Sequence, residues 1–336
     1  MKLHKNVIMI VIFAFFLAGC GGGPGEVQVY QGTEAIHVET ARNAPPDEVF
    51  EGSTFMLSAQ IQNRGAYSLE DTGALDDSKT GYLTVTYNNL YLNMVEFGVD
   101  EDDMRQFNLQ GRSISYPQGE RDIINLGRFE VSELSGGLGQ PKTDIRIDAC
   151  YPYETQLLQT VCIDTSSLEG ETNPICQNRG SYQFSGQGAP IVVRNVDVSM
   201  IPEGIQRSPR PRANTPFGSD QDFNEQYQIK PRFEIEFENR GDGRVMLREH
   251  PRSIKDQCRT YRGDKVNRIN IEAYLGVNKL VCQNDGEVRF SGGKGEIICE
   301  LDGVSTITRN EERQLYINAS YIYTSEITKT LDIVRR

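Results

Sequence analysis

The chain has 336 residues and a formal net charge of −12, with 47 acidic against 35 basic side chains. That acidity argues against electrostatic capture of nucleic acid or of anionic lipid. With 3 histidines and no tryptophan, it offers few candidates for histidine-based acid–base chemistry, and it is long enough for two ordinary domains.

From the N-terminus, Lys2 and Lys5 precede an apolar run from Val7 to Leu17, and Leu17-Ala18-Gly19-Cys20 follows. A basic start, a short apolar stretch and small residues before a cut describe a secretory signal over residues 1–19. The run is shorter than the roughly 20 residues that span a bilayer core. The tetrapeptide resembles a lipobox, which implies that the Cys20 thiol is lipidated and becomes the new N-terminus, anchoring the protein to the membrane. Loss of residues 1–19 removes two lysines and takes the net charge from −12 to −14. The Gly-rich stretch at 20–25 reads as a flexible tether.

Beyond the tether the pattern is β almost throughout. Phe55 to Gly65 ("FMLSAQIQNRG") alternates and ends in Asn-Arg-Gly, and "YLTVTY", "RFEV" and "DIRIDA" follow. Ile147 to Asp164 is the next apolar, strand-like run, and "SSLEGE" (166–171) is the one short helical candidate. "IVVRNVDVSM" opens a second series. It is followed by Glu203 to Gln226, rich in Pro, Arg, Ser and Asn, which reads as a basic loop insertion with Arg207, Arg210 and Arg212. "RFEIEFENRG", "RINIEAYL", "NKLVC" and "EIICE" continue the β pattern. The chain closes on Ile317 to Val334.

Two of these segments repeat. Ile147–Asp164 aligns without a gap to Ile317–Val334 at an offset of 170, matching Ile147 with Ile317, Ala149 with Ala319, Tyr151 with Tyr321 and Tyr153 with Tyr323. The two Asn-Arg-Gly strands match at an offset of 176, in the same order. Duplication is the economical explanation. The sequence therefore predicts an all-β chain of two tandem antiparallel β-sandwiches, at 26–170 and 186–336, joined by a segment at 171–185.

At the Asn-Arg-Gly strands the chain resembles the cell-adhesion-related immunoglobulin-like sandwich domains of archaea and bacteria. "ACYPY…VCID" followed by "SGQGAPIVV" is similar to uncharacterised secreted archaeal lipoproteins. The resemblance implies an immunoglobulin-like fold and an extracellular setting, and it transfers no catalytic residue.

Cys20 set aside, six cysteines remain, an even set that in a secreted chain suggests disulfides. If Ile147–Asp164 folds as a hairpin turning around Gln156, Cys150 and Cys162 become opposite neighbours on its outer face. The second copy has Ser320 and Asp332 at those positions, so the two cysteines are absent together. These points predict Cys150–Cys162. Cys282 and Cys299, on neighbouring strands with no counterpart in the first copy, are expected to pair. Cys176–Cys258 follows by elimination. No CxxC pair supports zinc or redox chemistry.

Other candidates are weaker. Asp100, Glu101, Asp102 and Asp103 could offer oxygens to calcium, but they lack the spacing of a calcium loop, and a solvated loop is preferred. Asn318, in the single Asn-x-Ser/Thr sequon, should face outward and is the glycosylation candidate. His37 reads as a surface residue and His250 as a loop residue. No hydrolase, metalloprotease or phosphate-loop motif occurs, so no catalytic residue, metal or cofactor is expected. The leading expectation is a lipid-anchored, cell-surface, non-enzymatic binding or adhesion protein whose partner is an envelope protein or a glycan. The alternatives are a structural subunit of an envelope layer or filament, and a secreted enzyme with an unrecognised site.

Overall fold

The computed structural model describes residues 29–73, 76–96, 104–134, 140–163, 176, 179–209, 223–260, 263–301 and 311–335. The signal segment, Cys20, the tether, the helical candidate at 166–171 and the acidic residues Asp100, Asp102 and Asp103 lie outside them.

The first half contributes β1 (Ile36–Thr40), β2 (Glu48–Phe50), β3 (Thr54–Asn63), β4 (Gly81–Tyr87), β5 (Leu92–Glu96), β6 (Met104–Phe107), β7 (Arg121–Val131) and β8 (Lys142–Ile163). The second contributes β9 (Ser181–Gln183), β10 (Ile191–Pro209), β11 (Phe223–Asn239), β12 (Arg244–Met246), β13 (Arg268–Leu275), β14 (Asn278–Cys282), β15 (Glu287–Arg289), β16 (Lys294–Leu301) and β17 (Glu311–Val334). A short helix, α1 (Ile254–Arg259), lies between β12 and β13.

Each half builds two antiparallel layers in the same order. One layer runs β1-β3-β7-β5 in the first half and β10-β11-β16-β14 in the second. The other runs β6-β4-β8 and, in the second half, β15-β13-β17. The strand order is the fold's own. In an immunoglobulin constant domain the fifth strand lies beside the second; here the sixth recurring strand does, and the fifth lies beside the third.

The halves join along β8 and β17, which pair antiparallel over the whole length of β8, from Lys142 with Asp332 to Ile163 with Glu311. Pro152 faces Ile322, its own equivalent in the repeat, so a local two-fold axis passes between them. Tyr151 therefore faces Tyr323, and Tyr153 faces Tyr321. All four rings are buried, with centroids 5.9 to 6.4 Å apart around the quartet. Each such aromatic pair contributes about 0.5–1.5 kcal/mol beyond the area it buries. The main core is consequently one cluster running through both halves, beside a small second cluster on the outer face of the first half.

Several expectations are corrected. Ile147–Asp164 is not a hairpin: Thr155 and Leu157 are buried on either side of half-exposed Gln156, so the alternation passes through the supposed turn without a break. The hairpin partner is the other copy. Cys150 and Cys162 consequently lie 12 residues apart on one strand, about 40 Å in extended chain, and cannot bond. Cys150 bonds Cys258 on α1, and Cys162 bonds Cys176, with Cα separations of 5.9 and 5.8 Å. The expected Cys176–Cys258 bond falls with them. Cys282–Cys299 forms as expected, between directly opposed residues of β14 and β16. The insertion at 203–226 is not all loop. Its two flanks extend the β10–β11 ladder to Pro209 and Phe223, because each further antiparallel pair satisfies backbone groups already aligned by the strands below, with one register shift between Pro202 and Gly204.

Candidate functional site

The Asn-Arg-Gly turns fix the central strands. Asn63 donates from Nδ2 to the carbonyls of Tyr67 (2.7 Å) and Leu109 (3.0 Å), and its Oδ1 accepts from Gly65 N–H. The Tyr153 hydroxyl donates to that same oxygen at 3.4 Å. In the second half Asn239 bonds the Gly243 carbonyl and Gly241 N–H, and Tyr323 donates to its Oδ1 at 3.1 Å. The glycine is required by close approach: a Cβ on Gly65 would sit 1.8 Å from the Tyr153 hydroxyl, and one on Gly241 2.3 Å from that of Tyr323. The repeat thus keeps the residues that lock each final strand to its own half.

With β8, β17 and β13 locked in register, their outward side chains form an ordered surface. The first row across the strands is Leu158, Tyr316 and Tyr274. The next is Gln156, Asn318 and Glu272, and the third is Glu154, Ser320 and Asn270. Rows are about 6.8 Å apart and strands about 4.8 Å. An aromatic row therefore runs beside a row of amides and a carboxylate. Tyr316 and Tyr274 lie 6.3 Å apart at 41°, and Leu158 is 62% exposed.

The two-fold axis carries this surface onto an equivalent one in the first half. There the rows read Thr328, Arg146, Thr86; then Glu326, Asp148, Thr84; then Thr324, Cys150, Tyr82. No aromatic row exists there, and its inner end is covered. Cys150 and Tyr82 pack with Met104, Met246, Ile254 and Ile322 under α1. Ser253 caps that helix by accepting from Asp256 N–H, and Asp77 of the first half accepts from Lys255 N–H. The Ser253-x-x-Asp256 spacing was the available signal for a helix that the β pattern obscured.

The second surface is open. A groove of about 820 Å³ runs over it, with Glu154, Arg248, Glu272, Lys279, Asp285 and Asn318 among its walls. A neighbouring hollow of about 600 Å³ includes Tyr30, Gln156, Leu158, Phe184 and Tyr316. Glu154 and Gln156 are alternate residues on one face of β8, so the two hollows lie along a single strip.

Charges in the groove are committed in pairs. Lys279 bonds Glu272 at 2.5 Å, and Arg248 lies 3.6 Å from Glu154. Arg248 is only 6% exposed, and it donates to the Ser78 carbonyl at 2.7 Å. Tyr67 donates to Glu154 at 3.4 Å; burial first, and the Glu154 charge second, push its hydroxyl up to about 12. Burial also raises Tyr316, with help from Glu154 and Glu272. Two buried polar atoms here have no partner: Arg248 Nε and Asn318 Oδ1.

No protein-family model matches the chain, and no curated protein matches it in sequence.

Of the residues singled out in the sequence, Asn318 faces outward as expected, but it is half-buried in the groove between β8 and β13. His250 lines the groove. His37 lies on β1, 3.8 Å from Glu39. Among the described residues no group of three or more His, Cys, Asp or Glu is placed to hold a metal ion. The sequence reading missed Tyr316, Tyr274, Leu158 and Arg248. The alternation marked their outward parity, but only the β8–β17–β13 register brings them together.

Proposed function

We propose that the chain is a non-enzymatic binding protein, held at the cell surface by a lipid on Cys20, that grips its partner in the open groove. The observation that carries this reading is the divergence of the two equivalent surfaces. Equivalent backbone scaffolding supports a surface with a covered inner end and no aromatic row in one half, and an open aromatic and amide surface in the other. Packing alone does not demand Leu158, Tyr316 and Tyr274, since Thr328, Arg146 and Thr86 serve the same strands. Three disulfides fit an oxidising, extracellular setting, and no described helix is long and apolar enough to cross a membrane.

The test is co-sedimentation of the purified, oxidised protein with the cell-envelope fraction of its source. Retention is expected to fall at least tenfold in Tyr316→Ala and to persist in Arg146→Ala, the equivalent site on the other surface. Equal retention of the two variants, or none by the parent, overturns the reading. Anchoring is checked separately: Cys20→Ser should move the protein from the membrane fraction to the soluble one.

A further inference from the structure

We infer that the ligand of the groove is a neutral, linear glycan segment. It lies with its ring faces on the Leu158–Tyr316–Tyr274 row and its hydroxyls on the Gln156–Asn318–Glu272 row. The inference rests on the binding-protein reading above and adds the chemical class.

Three features point to hydroxyl-rich, uncharged matter. Lys279 and Arg248 are already answered by Glu272 and Glu154, leaving Asp285 on the wall, so the groove has no surplus cation for a phosphate, sulfate or uronate. The two orphaned atoms differ in kind: Arg248 Nε can only donate, and Asn318 Oδ1 can only accept. Leaving either buried and unmet costs about 1–3 kcal/mol, and a hydroxyl, donor and acceptor in one group, meets both demands. Finally, the apolar and polar rows run parallel across three strands. A sugar ring has the same division, with C–H groups on its faces and hydroxyls around its rim, whereas an extended peptide alternates its side chains and brings backbone groups that need a strand edge. Where Tyr316, Asn318 and Ser320 lie, β17 is paired on both sides, so the middle of the surface offers no such edge.

The experiment treats the envelope fraction with periodate, which cleaves vicinal diols, or with protease, before co-sedimentation. Titration calorimetry with neutral hexasaccharides of glucose, N-acetylglucosamine and mannose runs beside it, against a heparin hexasaccharide. Periodate should abolish retention and protease should leave it. At least one neutral hexasaccharide should bind, at least tenfold more weakly to Tyr316→Ala and to half-exposed Gln156→Ala, with heparin silent. Unchanged thermal melting of both variants separates lost contacts from lost folding. Retention that depends on Tyr316 but survives periodate and falls to protease overturns the glycan and leaves the binding reading intact. Binding of heparin alone, or an intact mass placing hexoses on Asn318 so that the protein's own glycan fills the groove, overturns it also. No retention at all overturns both.

Discussion

The two outward surfaces beside the local two-fold axis share strands, register and anchoring tyrosines, yet they have opposite fates. In the first half, Cys150 is bonded to α1 and the inner end of the surface is a small second core. In the second half, Ser320 stands at that position and the surface is an open groove. A single exchange of thiol for hydroxyl accompanies the difference between a covered face and a bare one. The repeated backbone specifies the scaffold, and inserted segments such as α1 decide which face meets solvent.

The comparison can be broken most forcefully at the bond that closes the covered surface. Cys150 and Cys258 are 108 residues apart, and a link over about 100 residues contributes roughly 4–5 kcal/mol through loop-closure entropy. The double variant Cys150→Ala/Cys258→Ala should lose about that much in denaturant unfolding and expose the Tyr82 cluster. Non-reducing peptide mapping of the parent should give 150–258, 162–176 and 282–299. Finding 150–162 instead would restore the hairpin and undo the register on which both surfaces depend.

The two Asn-Arg-Gly anchors should differ next. Asn63 is fully buried, whereas Asn239 is partly exposed and has a single carbonyl partner. Asn63→Ala should cost about 3 kcal/mol and Asn239→Ala about 1–2, by the usual cost of stranded buried partners. Equal losses in chemical denaturation would show that the halves are held alike.

Alkaline pH probes the shared axis. Burial raises all four quartet tyrosines, Tyr323 to about 12. In the unfolded chain they ionise near 10, so above that pH the native state binds more protons. Stability should be fully present below about pH 10 and fall by about 1.4 kcal/mol per pH unit for each such tyrosine, until the folded-state values are reached. Tyrosinate absorbance should rise together with unfolding, and Tyr323→Phe should make the loss shallower. Ionisation of all 15 tyrosines below the unfolding transition would contradict the burial.

The smallest effect lies on the other layer. Glu296 of β16 faces Glu236, where the first half has Ile123 facing Gln60. A hydrogen bond that its protonated form donates to Glu234, burial, and the charges of Glu234, Glu236 and Asp197 raise Glu296. Its ionised form is disfavoured in the fold, so the penalty is present at neutral pH and disappears as pH falls through its raised value. Glu296→Gln should stabilise by a few tenths of a kcal/mol at neutral pH, as for exposed like-charge neighbours, and should be indistinguishable from the parent in acid.

Much of the scaffold was legible in the residues. Alternation assigned Ile147, Ala149, Tyr151 and Tyr153 to the core, where all four are buried, and the repeat found both Asn-Arg-Gly anchors. The hairpin error has a physical origin: a strand folded back on itself at Gln156 and a strand paired with its own duplicate about Pro152 put the same residues inside and the same residues outside. The joint absence of Cys150 and Cys162 from the second copy fitted both. What distinguished them was that their partners, Cys258 and Cys176, lie in segments the repeat does not contain. The groove was illegible for a related reason. Its rows draw on three strands widely separated in sequence, and alternation gives each residue a side but not a neighbour.

The pairing of Pro152 with Ile322 also has a consequence for descent. A single-copy protein joined along this strand would be a symmetric dimer, obliged to carry every surface twice. Once two copies share one chain, a substitution falls on one face alone. Asymmetry that a homodimer cannot reach becomes available in single steps, and the covered and open faces of this molecule are two such outcomes from one template.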